Sequence, residues 1–234
     1  MQYTLIRSAR KTVGLYIKDG GLEVHAPHGA TLTQINQVIA SKERWIAEKL
    51  AASQERREKK QEFSVSYGSM LLWRGVEYPL LGDSNTTRIW RDEQGFHLPP
   101  GLSDNNLKYN VIRLYKIYAR NYLIERALHY AKIMDVRLSD VKVTEAKTRW
   151  GSCSKRIQAA AGTMTISVNF SWRLCMAEDD VIDAVVVHEL AHIREMNHSP
   201  AFYAAVRSVL PDYDKRNARL KLLSKRLGCE DWEM

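Results

Sequence analysis

Short stretches of alternating apolar and polar positions open the chain: "YTLIRS" from Tyr3, "TVGLYIK" from Thr12, a turn at Asp19, Gly20 and Gly21, and "LEVHAP" from Leu22. A period of two predicts strands, so the start is read as β-rich. The period then changes. Thr31 with Gln34 three residues on forms a capping-box pair, and Ile35, Val38, Ile39, Trp45, Ile46 and Leu50 recur at helical spacing, which predicts one helix with one apolar face. It runs out into "QERREKKQE", a charge run suited to a solvated helix end. Strand-length apolar runs return in "FSVSYGSMLLWRGVEYPLLG" and "TTRIWRDEQGFHL", punctuated by Gly68, Gly75, Gly82 and Gly95, and predict two hairpins. From Leu107 to Met134, the residues Leu107, Val111, Leu114, Tyr118, Tyr122 and Ala131 mark a long amphipathic helix, with Lys108, Arg113, Lys116, Arg120 and Arg126 assigned to its outer side. "VKVTEA" and "TISVNF" read as strands with "KTRWGSCSKR" between them, and "VIDAVVVHELAHIREMN" reads as a helix with Asp179 and Asp180 at its positive end.

This alternation divides the chain at "HLPPGLSDNN", where Pro99, Pro100 and Gly101 stop a strand and Ser103 or Asp104 can cap the next helix. Residues 1–100 are expected to form a β-rich N-terminal part with one helix, and residues 101–234 to carry the chemistry. A chain of 234 residues with 45% hydrophobic and 26% charged residues can bury a core of its own. The formal net charge of +8 is compatible with anionic partners, but a solvated basic surface is the more usual reason for it. Cys153, Cys175 and Cys229 are odd in number, far apart and not paired as CxxC, which argues against a disulfide framework or a cysteine-held zinc. The first residues lack the apolar core of a signal peptide, and no run approaches the ~18 apolar residues of a membrane span. The expectation is a cytoplasmic protein with no membrane association.

The chemistry concentrates in "VVVHELAHIREMNHSP", Val185 to Pro200. His188 and His192 stand four residues apart, so on a helix they lie on one face, one turn apart, and can aim at one point. Glu189 flanks that face, where a carboxylate can take a proton from water beside a metal without becoming a ligand. A catalytic zinc takes three protein ligands and keeps one position open, so a third must be found. His198 lies six residues beyond His192, which on an unbroken helix is ~9 Å further along the axis. The helix must therefore turn first. Asn197 tolerates the left-handed conformation of a helix end, and Ser199 with Pro200 makes an N-cap and first turn, so the helix is expected to end near Asn197 with His198 at the corner. Glu195, Glu230 and Glu233 compete for the third position, although Glu195 shares the helix of the first two ligands and no pattern supports the others. A buried helix with hydrogen-bonded histidines is the plainer alternative, but it leaves Glu189 without a purpose.

Several stretches together resemble the YgjP-like family of zinc metallopeptidases, within the zincin fold: "RWGSCS" from Arg149, "VNFSWRL" ending at Leu174, the histidine stretch continued through "SPAFY", "LPDYDKR", and a start that ends in "KERWIAEKL". The resemblance covers nearly the whole chain. It implies an α+β, zincin-like metallopeptidase domain behind a β-hairpin-rich N-terminal part, Zn2+ as cofactor, His188, His192 and His198 as metal ligands, and Glu189 as general base. It also implies a strand beside the active-site helix, for which "RWGSCS" and "TISVNF" are the candidates; Trp150, Gly151 and Cys153 are expected to pack beneath that helix. The spacing is also similar to that of metzincins, but Glu195 stands where those carry a glycine and no methionine turn is found.

Three functions remain open at this level. The first is peptide hydrolysis by metal-activated water, acting on peptide or protein substrates. The second is a metal-dependent nucleoside triphosphate pyrophosphohydrolase, with Lys147, Arg149, Lys155 or Arg156 on the phosphates. The third is a basic protein with a structural metal that binds nucleic acid through the long helix. Tyr203 and Tyr213 are possible oxyanion donors, with core packing or a helix start as their alternative roles.

Overall fold

The computed structural model describes residues 2–158 and 163–233. The chain divides into two compact units, one formed by residues 1–63 with 227–231 and the other by residues 64–226 with 232–234. Pro99, Pro100 and Gly101 lie inside the second unit.

In the first unit, strands β1 (Tyr3–Ser8), β2 (Gly14–Lys18) and β3 (Gly21–Pro27) form a sheet in the order β1-β3-β2, with β1 parallel and β2 antiparallel to β3. Alternate residues Leu22, Val24 and Ala26 point into a core completed by Ile35, Ile39 and Ile46. The expected single helix is two: α1 (Leu32–Ser41) and α2 (Glu43–Glu62), broken at Lys42. The capping box at Thr31 and Gln34 is formed on both sides. The break removes Trp45 from the apolar face and leaves it exposed, while Ile46 stays buried.

The second unit begins with the two predicted hairpins, β4 (Met70–Trp73) with β5 (Val76–Gly82) and β6 (Trp90–Arg91) with β7 (Phe96–Leu98). They merge through a parallel β5–β7 pairing into one sheet, β4-β5-β7-β6. The first hairpin turns at Arg74 (φ 48°) and Gly75 (φ 79°), a two-residue left-handed turn that matches strand twist. Helix α3 (Asp104–Ile133) then supplies a row of buried residues that includes Leu107, Val111, Leu114, Tyr115, Leu123 and Ala131. Strands β8 (Asp140–Thr144), β9 (Gly151–Gln158) and β10 (Thr163–Ser171) form the third sheet, in the order β8-β10-β9. "GSCSKR" is thus a strand in its own right, at the edge of that sheet. The chain closes with α4 (Asp179–Ala191), α5 (Pro200–Val209) and α6 (Tyr213–Leu227). No helix among the described residues is long and apolar enough to cross a membrane.

Helix α4 is nearly all buried, so its polar residues need partners. Asp183, 8% exposed, accepts two hydrogen bonds from Arg126 at 2.7 and 2.8 Å and one from the Tyr130 hydroxyl at 2.9 Å. Periodicity assigned Arg126 to the outer side of α3; it turns inward because a buried carboxylate on the neighbouring helix is the better partner. At the start of α4, Asp179 pairs with Arg74 and Asp180 with Arg219, and the Arg74 guanidinium holds the Asp179 carboxyl below the usual carboxylate range. Lys116, another residue of the expected outer row, pairs with the exposed Glu145.

Asp183→Ala is therefore expected to leave the Arg126 guanidinium without its partner and to destabilise the second unit by about 3 kcal/mol. Glu145→Ala, which breaks an exposed pair, should cost less than about 1 kcal/mol. Denaturant unfolding of both variants checks the contrast, and equal losses would contradict it.

Candidate metal centre

Helix α4 delivers His188 and Glu189 on its last full turn and stops at Ala191, with His192 as the cap residue. The expected end near Asn197 is too late. The chain instead tightens at once, with the N–H groups of Ile193 and Arg194 bonding three residues back to Leu190 and Ala191, and that of Glu195 bonding to Ala191. This early stop shortens the path to His198. Ser199 then caps α5 by accepting from the Phe202 N–H at 3.2 Å, and Pro200 occupies the first turn, the arrangement expected from "HSP".

The side-chain nitrogens of His188, His192 and His198 lie within 4.8 Å of one another, close enough for one small cation to sit among them. Nε2 of His188 and Nε2 of His198 face each other at 3.0 Å. His192 turns Nδ1 to the Glu195 carbonyl at 3.0 Å; that oxygen can only accept, so Nδ1 carries the proton and Nε2 keeps a bare lone pair. Burial lowers the His188 pKa to about 4, and its histidine neighbours push the same way. Burial also lowers that of His192, against a small opposing effect of the Glu195 carbonyl. Both shifts favour the neutral ring of His188 and His192, the form in which imidazole binds metal. Three imidazole donors with no carboxylate among them fit zinc better than magnesium or calcium.

Phe202, fully buried, makes ring contacts with all three histidines at centroid distances of 4.8, 4.6 and 4.9 Å. It is the apolar floor of the cluster. Glu189 lies against Gly151 of β9 and is 7% exposed. Burial pushes its carboxyl up to about 7, moderated by Arg149. Gly151 makes this position available: a Cβ there would lie 2.6 Å from Cγ of Glu189. The packing expected of Trp150, Gly151 and Cys153 takes this form: Gly151 lies against Glu189, Trp150 donates its indole N–H to Ser224 at 3.0 Å, and Cys153 is half-buried. A cavity of about 220 Å3 opens beside Glu189 and His188, walled by Trp150, Ala184, Val185, Leu220 and the Tyr213 ring.

The rival third ligands are elsewhere. Glu195 contributes its backbone carbonyl to His192, and Glu233 pairs with Lys147 at 3.0 Å. Among the described residues, the three histidines are the one cluster able to hold a metal.

Comparison with known proteins bears on this centre. The model of the YgjP-like metallopeptidase domain matches residues 11–222. The chain belongs to the YgjP-like family. Among solved structures, it is similar to the crystal structure of the metallopeptidase zymogen of Pyrococcus abyssi abylysin, with 18% identity over 42% of this chain and 90% of that one and a TM-score of 0.33, a likeness too slight to carry over any property. No curated protein matches. A YgjP-like metallopeptidase domain implies a divalent metal, and the donor set described above suits one.

Phe202 was not among the residues picked out from the sequence, and Tyr213 was raised only as a possible oxyanion donor, not as a partner of His188. Phe202 stands four residues after His198, so on a cap-initiated helix its ring returns toward the histidine; that spacing was the available signal. Tyr213, whose hydroxyl lies 2.8 Å from Nδ1 of His188, arrives from α6, and no local pattern pairs it with a residue twenty-five positions away.

Because Gly151 and Glu189 share one space, Gly151→Ala should cost about 1–3 kcal/mol, the usual penalty for overpacking. In a Glu189→Ala background most of that cost should vanish. A double-mutant cycle by denaturant unfolding measures the coupling, and additive losses would show that the two residues do not compete for space.

Proposed function

We propose that this chain is a cytoplasmic zinc-dependent peptidase that hydrolyses peptide bonds, with His188, His192 and His198 holding the metal and Glu189 as general base. The observation that carries the reading is the convergence of three histidine nitrogens within 4.8 Å beside a buried carboxylate whose desolvation Arg149 only partly offsets. The three free cysteines suit a reducing compartment.

Zinc bound by the three imidazoles supplies a Lewis acid that makes water more acidic and a carbonyl more electrophilic. Glu189 takes a proton from the attacking water. The water oxygen bonds to the carbonyl carbon, the carbon–nitrogen bond breaks, and the proton on Glu189 passes to the departing amine. A carboxyl group whose pKa lies near the working pH suits both halves of that exchange. Strand β9 supports a peptide as the substrate. It is an edge strand, paired only with β10 among the described residues, and its first residue touches Glu189. An extended peptide added along that edge would bring its backbone past the base.

The cavity beside Glu189 supports the same choice. At about 220 Å3 it is smaller than the roughly 300–1,000 Å3 typical of small-molecule sites, and apolar Trp150, Ala184, Val185 and Leu220 line it beside Arg149 and Asn217, so its size suits one side chain better than a nucleoside triphosphate. Of the phosphate-binding candidates, Lys147 is engaged with Glu233. On α3, Lys116 and Arg126 are committed to ion pairs, which weakens the case for a nucleic-acid surface.

Metal analysis and hydrolysis assays test the proposal together. The zinc-loaded chain should hold about one ion; His188→Ala and His192→Ala should abolish stable binding, and His198→Ala should weaken it severely. Glu189→Gln should keep the metal while peptide hydrolysis falls by about 10² or more. Undiminished zinc in the histidine variants, wild-type turnover in Glu189→Gln, or hydrolysis of nucleoside triphosphates but not peptides would refute it.

A further inference from the structure

A neutral imidazole has one proton for two nitrogens, and at His188 both nitrogens have close neighbours. Nδ1 lies 2.8 Å from the Tyr213 hydroxyl, and Nε2 faces the cluster, 3.0 Å from Nε2 of His198. A ring that offers the Nε2 lone pair to a cation carries its proton on Nδ1. That N–H donates to the Tyr213 oxygen. The phenolic hydrogen must then point elsewhere, since a hydroxyl that donated to Nδ1 would force the proton onto Nε2 and end its use as a ligand.

No other hydrogen bond of the Tyr213 hydroxyl exists among the described residues. Tyr213 is nevertheless 5% exposed, and a buried hydroxyl donor without an acceptor is costly. Tyr213 lines the cavity that Glu189 and His188 also line. The turn at Leu210 and Pro211 holds it there, with the Tyr213 N–H bonded to the Leu210 carbonyl at 3.0 Å and its ring nearly parallel to that of His188.

We propose that Tyr213 is a second catalytic residue, which accepts the Nδ1 proton of His188 in a hydrogen bond and donates its own hydroxyl hydrogen to the substrate carbonyl oxygen beside Glu189. The inference rests on the reading of His188 as a ligand and of a peptide carbonyl as the reacting group. No proton leaves the tyrosine. Its hydrogen bond strengthens as the carbonyl oxygen gains negative charge during attack by water, which lowers the barrier without tightening ground-state binding. The same side chain then serves metal and substrate at once: it sets the tautomer of a ligand, and the direction of that bond leaves its donor for the reaction.

The test compares Tyr213→Phe with Tyr203→Phe in the full zinc-loaded chain; the Tyr203 ring lies 6.3 Å from that of Tyr213 but makes no hydrogen bond to a histidine. Zinc affinity is read by chelator competition, kcat and KM on a cleaved peptide at saturating zinc, and the protonated nitrogen of His188 by NMR of 15N-histidine protein. The wild type should carry the His188 proton on Nδ1. Tyr213→Phe should lose about 10–100-fold in zinc affinity and, with zinc saturating, about 10²-fold in kcat with KM little changed. Tyr203→Phe should match the wild type in both. Unchanged kcat in Tyr213→Phe, equal losses in the two variants, or a His188 proton on Nε2 in the zinc form would overturn the proposal. A wild type that holds no zinc or cleaves no peptide would overturn the peptidase reading itself, and those two measurements separate the failures.

Discussion

Three imidazoles can meet at one point only if the helix that carries two of them stops before the third. His198 lies six residues after His192, and its ring reaches within 3.0 Å of His188 because α4 ends at Ala191 and the next four residues close into a tightened turn. That turn also places the Glu195 carbonyl where it fixes the tautomer of His192. Helix termination, the convergence of the three histidines and the tautomer of His192 are therefore consequences of one backbone event. The Ser199 cap then restarts the chain as α5 and brings Phe202 under the three rings.

The second requirement is that α4 be buried, since its apolar sides are what hold Glu189 in a place where a carboxylate would otherwise not stay. Burial is the larger influence on the Glu189 carboxyl and Arg149 the smaller, which leaves a group able to exchange a proton near neutral pH. Gly151 supplies the room and Asp183 the anchor: the first removes a side chain where β9 meets the helix, and the second ties the helix to Arg126 and Tyr130 of α3. Neither residue performs chemistry in the proposed reaction. Both decide where the residues that do will stand.

Much of this was legible in the sequence because the signals are local. A four-residue spacing places two histidines on one helical face, "HSP" encodes a cap and first turn, and Thr31 with Gln34 forms its box. The hairpins followed from apolar runs broken by glycine. What escaped has a common cause, which is that it depends on partners remote in the chain. The end of α4 was placed near Asn197 because that residue tolerates the left-handed conformation of a helix end; nothing within the stretch shows that the chain tightens earlier, directly after Ala191. Arg126 was put on the outer face by periodicity, and only the packing of α3 on α4 reveals the carboxylate that draws it in. The break at Lys42 leaves the helical spacing of the buried Ile35, Ile39 and Ile46 intact, so that spacing gives no sign of it. Tyr213 reaches His188 across two loops and a helix.

A structure of the zinc-loaded protein, with the metal located by its anomalous signal, addresses the central claim most directly. The account predicts a single zinc bound by ring nitrogens of His188, His192 and His198 at about 2.0–2.1 Å, with one position left to solvent and Glu189 near that position but not bound to the metal. Zinc held by Glu195, Glu230 or Glu233 in place of His198, or with Glu189 filling the fourth position as a ligand, would contradict it.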